Sequence, residues 1–276
     1  MPPPAVFLWR PAISPEPETS LEESPAEESP AETAWSEDRL LDGRILLKQP
    51  RDGYRAAIDP VLLAAATPAA PGERILDVGA GVGAAALCLA FRVPGARVTG
   101  LELQPALAEL GAINILDNHL EDRVTILTGD ILSPPDSLPA AGFDRLMTNP
   151  PFQKAGTHTP PPGASRALAH GEGSADLEAW VAFCTRMLKP RGTLTLIHRA
   201  DRLDDLIALL HGRFGAITLI PLWPRAGRPA KRILVTARRG ARSPAILSAG
   251  LVLHEASGSF TSAAQAVLRH GEAIQP

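Results

Sequence analysis

Apolar residues along the middle of the chain follow two spacings that alternate. Short continuous apolar runs are typical of buried strands, whereas apolar positions three or four residues apart indicate helices. Strands are predicted at 43–48, 74–78, 96–102, 124–127, 143–148, 193–197, 216–220, 232–237 and 251–253, and helices at 58–66, 82–92, 104–118, 176–188, 201–212 and 261–270. Because helix-length segments separate most of the strands, the pattern predicts a parallel sheet with helices on both faces.

The predicted fold class is therefore α/β, a doubly wound sheet that is mostly parallel. No helix separates the strands at 216–220 and 232–237, so we expect them to form an antiparallel hairpin at one edge of the sheet. In the helix over 104–118, the residues expected on one apolar face are Leu107, Leu110, Ile113 and Leu116.

Composition divides the chain into three regions. Residues 1–38 are rich in Pro, Glu, Ser and Ala and carry nine acidic residues against Arg10 alone, a net charge of −8. Such a segment buries too little apolar area to offset chain entropy, so we expect a disordered acidic tail. Residues 39–240 are expected to form the α/β domain, and residues 241–276 a C-terminal extension packed on or near it.

Basic residues are concentrated toward the end of the expected domain. Residues 186–242 hold 13 Lys and Arg against three Asp, a net charge of +10. An even, solvated charge pattern would not segregate in this way, and a basic patch of this kind is suited to phosphates. A basic surface without a partner is the alternative.

The sequence contains no signal for export, membrane insertion or metal binding. No basic-apolar-small signal peptide opens the chain, and no apolar run approaches the about 18 residues that a membrane span needs, so neither is expected. Cys88 and Cys184 each lie in an apolar helix-like run, which favours buried free thiols in a reducing cytoplasm. No metal is expected either, because these histidines lack the spacing of a metal site: His158, His170, His198 and His211.

A glycine-rich turn follows the strand at 74–78. Gly79, Gly81 and Gly83 lie between this strand and the next helix, where a backbone without Cβ atoms can approach a ligand and helix N–H groups point at it. Such a turn is typical of sites for nucleoside cofactors, including those of dinucleotide enzymes.

The next two strands end near acidic residues. Glu102, 23 residues beyond Gly79, is placed to accept hydrogen bonds from both hydroxyls of a ribose, and Asp130 is placed to accept one from an adenine amino group. Ligands bind at the carboxyl ends of parallel strands, so both side chains should lie at the same edge of the sheet as the glycine turn. A solvated strand-end acid is the alternative for Glu102, and a helix or turn cap is the alternative for Asp130.

The tetrapeptide Asn149-Pro150-Pro151-Phe152 follows the strand at 143–148. An amino nitrogen on a heteroaromatic ring or a carbonyl is a poor nucleophile, because its lone pair is delocalised. The Asn149 side-chain oxygen and the Pro150 carbonyl can hold both amino hydrogens and steer the nitrogen toward a methyl sulfonium, while Phe152 can stack on a planar substrate. A structural turn is the alternative, but the tetrapeptide and the glycine turn together indicate an S-adenosylmethionine-dependent N-methyltransferase rather than a hydride-transfer enzyme.

These motifs resemble those of the class I, Rossmann-like methyltransferases that modify amino nitrogens of adenine, guanine or glutamine. From Gly43 to Arg239 the chain is more specifically similar to the bacterial adenine-N6 methyltransferases of valine tRNA, which act beside the anticodon. The segments that add to this resemblance are Gln49–Arg55, Ile58–Leu63, Ser165–His170 with Glu172, His198–Arg202 and Trp223–Arg225. Residues 153–164 match no element of that family.

The resemblance implies a Rossmann-like doubly wound sheet of about seven strands, S-adenosyl-L-methionine as cofactor and tRNA as substrate. The cofactor-binding residues expected with it are Asp77, Gly79, Gly81, Gly83, Glu102, Leu103, Asp130, Ile131 and Asn149. The expected catalytic residues are Asn149, Pro150 and Phe152, and the expected substrate-binding residues are Tyr54, Arg55, Pro151, Phe152, Arg199 and Arg225. A packing role is the alternative for Tyr54, and ion pairs with Asp201 and Asp205 are the alternative for Arg199 and Arg202.

The implied reaction transfers a methyl group to the N6 amino group of an adenine in tRNA, beside the anticodon. Methylation of an rRNA guanine N2 or of a protein glutamine is the alternative within the same chemistry. The non-enzymatic alternative is an RNA-binding protein on an inactive methyltransferase scaffold, which is disfavoured because Gly79, Glu102, Asp130 and Asn149 are all present.

Overall fold

A nine-stranded sheet is the centre of the fold in the computed structural model, which describes residues 35–52, 55–151 and 175–275. The strands are β1 Trp35–Leu40, β2 Ile45–Pro50, β3 Arg74–Val78, β4 Arg97–Glu102, β5 Val124–Thr128, β6 Phe143–Thr148, β7 Leu188–Arg199, β8 Phe214–Arg225, β9 Arg232–Arg239, β10 Ile246–Leu247 and β11 Leu251–His254. The helices are α1 Asp59–Ala66, α2 Ala84–Arg92, α3 Pro105–Asp117, α4 Leu177–Met187, α5 Leu203–Leu210 and α6 Ser262–His270, with a 3₁₀ turn at Ala200–Arg202.

The order of the strands in the sheet is β10-β8-β9-β7-β6-β3-β4-β5, and β11 also pairs with β8. Strands β3 to β7 are parallel to their neighbours among themselves, and β9 is antiparallel to both β7 and β8. The expected α/β class with a mostly parallel sheet is therefore confirmed. The antiparallel hairpin β8–β9 is not outermost, because the C-terminal segment adds β10 and β11 in parallel to β8 and so raises the strand count.

Alternate side chains of the central strands enter two separate apolar cores, one on each face of the sheet. Ile75 of β3 belongs to the core to which α1, α2 and α6 contribute, whereas Leu76 belongs to the core of α4 and α5. The predicted bounds of β3 and β6 match the structure residue for residue.

Strands β1 and β2 form a separate antiparallel hairpin in which Trp35 lies opposite Pro50. The prediction of a disordered tail over residues 1–38 is wrong for Trp35–Asp38, which lie in β1; residues 1–34 are outside the described residues. The sequence of β1 is mostly polar, so its composition does not indicate a strand; contacts with β2 hold it in place. The Lys48 ammonium lies 4.7 Å from the centre of the Trp35 ring, and the Gln49 side chain donates to Asp38 at 2.9 Å.

Asn114 of α3 and Asn118, the C-cap of that helix, attach this hairpin to the domain. The Asn118 side chain accepts from the Leu46 N–H at 2.9 Å and donates to the Leu46 carbonyl at 2.7 Å. Asn114 makes the same pair of bonds with Lys48, at 2.7 and 3.0 Å, and also donates to the Val82 carbonyl at 3.0 Å. The two amides therefore satisfy backbone groups of β2 as a neighbouring strand would.

The predicted apolar face of α3 is wrong at two of its four positions, since Leu110 is buried and Leu107 packs against the core but the other two residues are exposed. Ile113 and Leu116 are 42% and 58% exposed. The buried positions of the helix are Ala108, Leu110, Gly111, Asn114 and Ile115. Apolar residues spaced by three drift around a helix of about 3.6 residues per turn, and the buried stripe contains a polar residue that hydrophobicity alone does not reveal.

Two further predictions concern membrane-spanning helices and the cysteines. None of the helices in the described part of the chain is long and apolar enough to cross a membrane. Cys88 and Cys184 are buried free thiols, as expected. Burial raises the pKa of Cys88 to about 12, which keeps its thiol protonated.

Asn114→Ala should lower the free energy of unfolding by about 3 kcal/mol, because backbone groups of Lys48 and Val82 lose buried hydrogen-bond partners. Urea denaturation followed by circular dichroism measures the change. Leu116→Ala, on the exposed side of the same helix, is the control and should change stability by at most about 0.5 kcal/mol. Equal losses in the two variants would contradict the proposed role of the asparagine.

Candidate active site

The carboxyl ends of the parallel strands β3 to β7 meet at one edge of the sheet, here termed the carboxyl rim. Val78 of β3 lies beside Leu101 of β4 on one side and Thr148 of β6 on the other. The glycine turn follows Val78 and Asn149 follows Thr148, so two motifs that lie 70 positions apart in the sequence, at Gly79 and Asn149, are neighbours in space. Parallel topology thus brings the two motifs together at the carboxyl rim.

Backbone geometry requires glycine in the turn after β3. Gly79 has φ of +73°, its N–H donates to the Leu101 carbonyl at 2.8 Å, and a Cβ there would lie 3.2 Å from the Trp180 ring. Gly81 has φ of +57°, but a Cβ there would meet nothing within 4 Å, so the turn is open at this point. Gly83 is the N-cap of α2. An open backbone beside a helix N-terminus is suited to a ligand that approaches the main chain closely.

Glu102 joins the glycine turn to the end of β4. Its side chain is buried, and Oε2 accepts from the Gly81 N–H at 2.8 Å while Oε1 accepts from the Gln104 N–H at 2.9 Å. Burial raises the pKa of Glu102, and these backbone hydrogen bonds act in the opposite direction. The alternative of a solvated strand-end acid is therefore wrong. A carboxylate can accept about four hydrogen bonds in all, so Glu102 keeps the capacity to accept from a hydroxyl group.

Asp77 is buried in β3 beneath the glycine turn. Its Oδ2 atom has no hydrogen-bond partner in the part of the chain that the structure describes. Burial, and next the charge of Glu102, raise the pKa of Asp77 to about 7 despite a hydrogen bond from the Ala86 backbone. A buried carboxyl oxygen without a partner costs free energy, so a ligand that supplies a donor here would be bound favourably.

Asp130 caps a turn, which is the alternative to its expected role in binding the adenine amino group. Its Oδ1 accepts from the Leu132 N–H at 2.9 Å, which leaves Oδ2 unused by this turn. Ile131 belongs to an apolar core, whereas Leu103 is 48% exposed directly after Glu102. Of the two apolar residues expected at the cofactor, Leu103 therefore has a side chain available to a ligand.

The end of β6 is held by a side chain that sequence reasoning missed. Thr148 Oγ1 donates to the Val78 carbonyl at 2.8 Å and accepts from Trp180 Nε1 at 2.8 Å. Trp180 of α4 therefore contacts both the glycine turn, through Gly79, and the residue before Asn149. A tryptophan in the predicted helix 176–188 is visible in the sequence, but no spacing connects it with residue 148.

Asn149 and Pro150 follow directly after this contact. The Asn149 side-chain oxygen and Pro150 are buried, and Pro151 is partly exposed. Phe152 and Tyr54, both expected to contact substrate, lie outside the described residues. So do residues 153–164 and the family-like segment at 165–172.

Arg55, expected to bind substrate, is attached to the β1–β2 hairpin. Its guanidinium donates to Ser36 Oγ at 2.6 Å and to the Pro50 carbonyl at 3.1 Å, and it forms an ion pair with Asp38. These contacts join the start of β1 to the segment that leads into α1. Arg55 therefore has a structural role in addition to the role expected from the resemblance.

The other two arginines expected to bind substrate lie at the ends of β7 and β8. Arg199 forms an ion pair with Asp201, and the nearby Arg202 forms one with Asp205 at 3.2 Å. Ion pairs of this kind are the alternative to phosphate binding for Arg199 and Arg202. Arg225 is exposed and has no carboxylate within ion-pair distance among the described residues. Arg225 is thus better placed than Arg199 to bind a phosphate.

His198 lies in β7 and is fully buried. Burial, and next the charge of Arg202, lower the pKa of His198 to about 4, so the imidazole is neutral near pH 7. Within the ranges that the structure describes, no group of three or more His, Cys, Asp or Glu side chains is arranged to hold a metal ion.

Comparison with known proteins agrees with this geometry. The family model described as the methyltransferase small domain matches residues 58–220. A protein of Porphyromonas gingivalis named tRNA1(Val) (adenine(37)-N6)-methyltransferase is 35% identical over 234 residues, which cover 79% of this chain and 88% of the relative. A protein of the same name from Aeromonas hydrophila is 30% identical and covers 76% of this chain and 87% of the relative. The resemblance that the motifs indicate is confirmed.

Solved structures confirm the Rossmann-like fold. A predicted O-methyltransferase from Agrobacterium tumefaciens has a TM-score of 0.64 and 29% identity, over 79% of this chain and 98% of that one. A SAM-dependent O-methyltransferase from Thermotoga maritima has a TM-score of 0.50 and 20% identity, over 70% of this chain and 69% of that one, and is evidence for the fold alone.

Asp77→Asn should raise the melting temperature of the ligand-free protein at pH 8 and change it little below pH 4. Folding raises the pKa of Asp77 from 3.8 to about 7. The wild-type protein therefore loses stability as the pH rises between these values, because its unfolded chain releases a proton that the folded state must take up again. The substituted side chain has no such proton, so the variant does not incur this loss. Scanning calorimetry at both pH values measures the difference.

Asp144→Asn is the control of opposite sign. Although burial acts to raise the pKa of Asp144, hydrogen bonds from the Arg74 N–H and the Lys189 ammonium lower it. The control should therefore lower the melting temperature at pH 8. A Tm difference between Asp77→Asn and wild type that does not change with pH would show that folding does not raise the pKa of Asp77.

Proposed function

The chain belongs to the methyltransferase small domain family, and we propose that it transfers a methyl group from S-adenosyl-L-methionine to the N6 amino group of an adenine in tRNA. The proposed nucleotide is the adenine beside the anticodon of valine tRNA, which is adenine 37 in the names of the two relatives. The observation that carries the proposal is the pairing of Val78 with Thr148, which places the glycine turn beside Asn149.

The residues at the carboxyl rim fit the proposed cofactor. When bound, S-adenosyl-L-methionine supplies an electrophilic methyl group on a positively charged sulfur. At Gly81 the backbone is open to a ligand, and Glu102 has carboxylate oxygens that can accept from the ribose hydroxyls. The buried Oδ2 of Asp77 would be stabilised by a hydrogen-bond donor or a positive charge on the ligand. Asp130 Oδ2 and the exposed Leu103 are proposed to contact the adenine portion.

Asn149 and Pro150 are proposed to bind and orient the amino group of the target base. The Asn149 side-chain oxygen and the Pro150 carbonyl accept its two hydrogens, which directs the nitrogen lone pair to the methyl carbon. As the N–C bond forms and the C–S bond breaks, positive charge would pass from the sulfur, which leaves as a neutral thioether, to the nitrogen, which then releases a proton to solvent. The same acceptors would therefore stabilise the transition state more than the ground state. Trp180 and Thr148 fix the backbone that carries both acceptors.

An adenine within a folded RNA is stacked, so it must leave the stack to reach the carboxyl rim. We propose that Phe152 provides the face on which the extruded base stacks, and that Arg225 contacts a nearby phosphate. The substrate and the buried thiols together favour a cytoplasmic enzyme.

Methyl transfer to tRNA tests the proposed function directly. The full chain, incubated with methyl-labelled S-adenosylmethionine and valine tRNA from a strain that lacks the enzyme, should produce N6-methyladenosine, identified by nucleoside mass spectrometry. A transcript with guanosine in place of the target adenosine should remain unlabelled. The proposed substrate would be overturned if a ribosomal RNA guanine or a protein glutamine were labelled while tRNA remained unlabelled.

Two substitutions should separate cofactor binding from methyl transfer. Glu102→Ala should weaken S-adenosylmethionine binding about 30-fold, since a hydrogen bond to a charged group contributes roughly 2 kcal/mol. Asn149→Ala should retain most of the cofactor affinity and lower turnover about 100-fold, as does the loss of one preorganised polar group. Isothermal titration calorimetry measures the affinity for S-adenosylmethionine, and single-turnover kinetics measure the rate of methyl transfer.

The melting temperature of each variant is the control, because Glu102 also holds the Gly81 backbone. A Glu102→Ala variant with wild-type affinity would remove this residue from the cofactor site. An Asn149→Ala variant with wild-type turnover would refute the proposed mechanism.

A further inference from the structure

We propose that the outer edge of the sheet on the β8 side binds the double-stranded stem of the RNA whose loop enters the carboxyl rim. This edge, termed the basic flank, comprises residues 206–254, which include β8, β9, β10, β11 and their connections. The inference rests on the proposed function, in which tRNA is the substrate. It adds the orientation of the RNA on the enzyme.

The two edges of the sheet have opposite charge. The basic flank contains eight Lys and Arg and no Asp or Glu, a net charge of +8. At the other edge, residues 103–140 hold α3 and β5 and carry six acidic residues against Arg123 alone, a net charge of −5. RNA phosphates are attracted to the first edge and repelled by the second, which determines the side on which the stem lies.

The cations of the basic flank lie in two groups, one at each end of β8. The turn from β8 to β9 is at the carboxyl rim, since Arg232 is opposite both Leu222 and Arg199. The group there is Arg225, Arg228, Lys231 and Arg232. The other end of β8 is termed the amino rim, and its group is Arg213, Arg238, Arg239 and Arg242.

The two groups are far apart, so the basic stretch of the sequence is not a single patch. Strand β8 has 12 residues, and a rise of about 3.3 Å per residue makes the separation about 36 Å. A flipped base with its neighbouring phosphates can contact the carboxyl rim, but only an extended part of the RNA reaches the amino rim.

Carboxylates neutralise few of these cations. Arg232 is paired with Asp59 at 3.2 Å, and Arg213 is 3.8 Å from Glu178. The exposed cations of the flank that have no carboxylate within ion-pair distance among the described residues are Arg225, Arg228, Lys231, Arg238 and Arg242. At both rims the flank therefore offers positive charge that is available to phosphates.

The surface between the two groups is uncharged. Ile246 and Leu247 of β10 are 58% and 72% exposed, and no charged residue occurs from Ser243 to His254. A stem that follows β8 therefore meets phosphate-binding groups at both rims and no repulsive charge between them. Double-stranded RNA is recognised mainly through such backbone contacts, which suits a stem whose sequence is not read.

Binding of two RNA hairpins tests this orientation. Both carry the anticodon loop of valine tRNA, one on a stem as long as the basic flank and one on a stem less than half that length. Arg238→Ala combined with Arg242→Ala should weaken binding of the long hairpin about tenfold at low salt and reduce its salt slope by about two. Binding of the short hairpin should not change.

Two further double variants are matched to this one. Arg225→Ala with Arg228→Ala removes two cations at the carboxyl rim and should weaken binding of both hairpins. Arg74→Ala with Arg97→Ala removes two exposed cations from the same end of the sheet as the amino rim but outside the basic flank, and should change neither.

The outcomes distinguish failure of this inference from failure of the proposed function. If wild-type protein methylates tRNA but the Arg238/Arg242 variant binds the long hairpin normally, the stem does not lie on the basic flank. The same conclusion follows if the Arg74/Arg97 control weakens binding equally. If wild-type protein neither methylates tRNA nor binds either hairpin, the tRNA substrate itself is wrong, and the inference fails with it.

Discussion

Parallel pairing of β3 with β6 is the constraint on which the candidate site depends. Because Val78 lies opposite Thr148, the glycine turn and Asn149 leave the sheet at the same level. A slip of one residue would exchange the two faces of the strand, so the cores on both faces hold this register. The Thr148 hydroxyl, bonded to both the Val78 carbonyl and the Trp180 indole, adds a side-chain contact at the point where the two motifs begin.

Charge is distributed so that the two proposed substrates meet different environments. Asp77 and Glu102 are buried below and beside the glycine turn, where a positively charged methyl donor is proposed to bind. The cations lie at the ends of β8, on the far side of β6 and β7 from that turn, where a polyanion is proposed to bind. The carboxyl rim thus separates the charge that attracts the cofactor from the charge that attracts RNA, and Asn149 lies between the two.

The parts of the fold and site that the sequence predicts are those set by local patterns. The buried strands, the glycine turn and the acidic residue Glu102 are recognisable because burial on both faces, left-handed backbone and strand-end position each have a local signature. The hydrogen bonds of Asn114 to β2 and the contacts of Trp180 depend on partners distant in sequence, so composition and spacing do not reveal them. β1 is not predicted because its sequence is mostly polar, although its partner β2 is the next strand. The division of the basic residues between two rims likewise follows from strand pairing alone.

Single-turnover methyl transfer by Trp180→Phe tests most directly whether the link between the glycine turn and Asn149 positions the reacting groups. The change keeps an aromatic ring near Gly79 and removes the N–H that Thr148 accepts. Trp223→Phe, assayed at saturating RNA because Trp223 lies in the basic flank, is the control, since it removes an equivalent donor to the Ala249 carbonyl on the outer edge of the sheet. The account predicts a transfer rate at least about tenfold lower for Trp180→Phe, with the control at the wild-type rate. Wild-type transfer by both variants would contradict it.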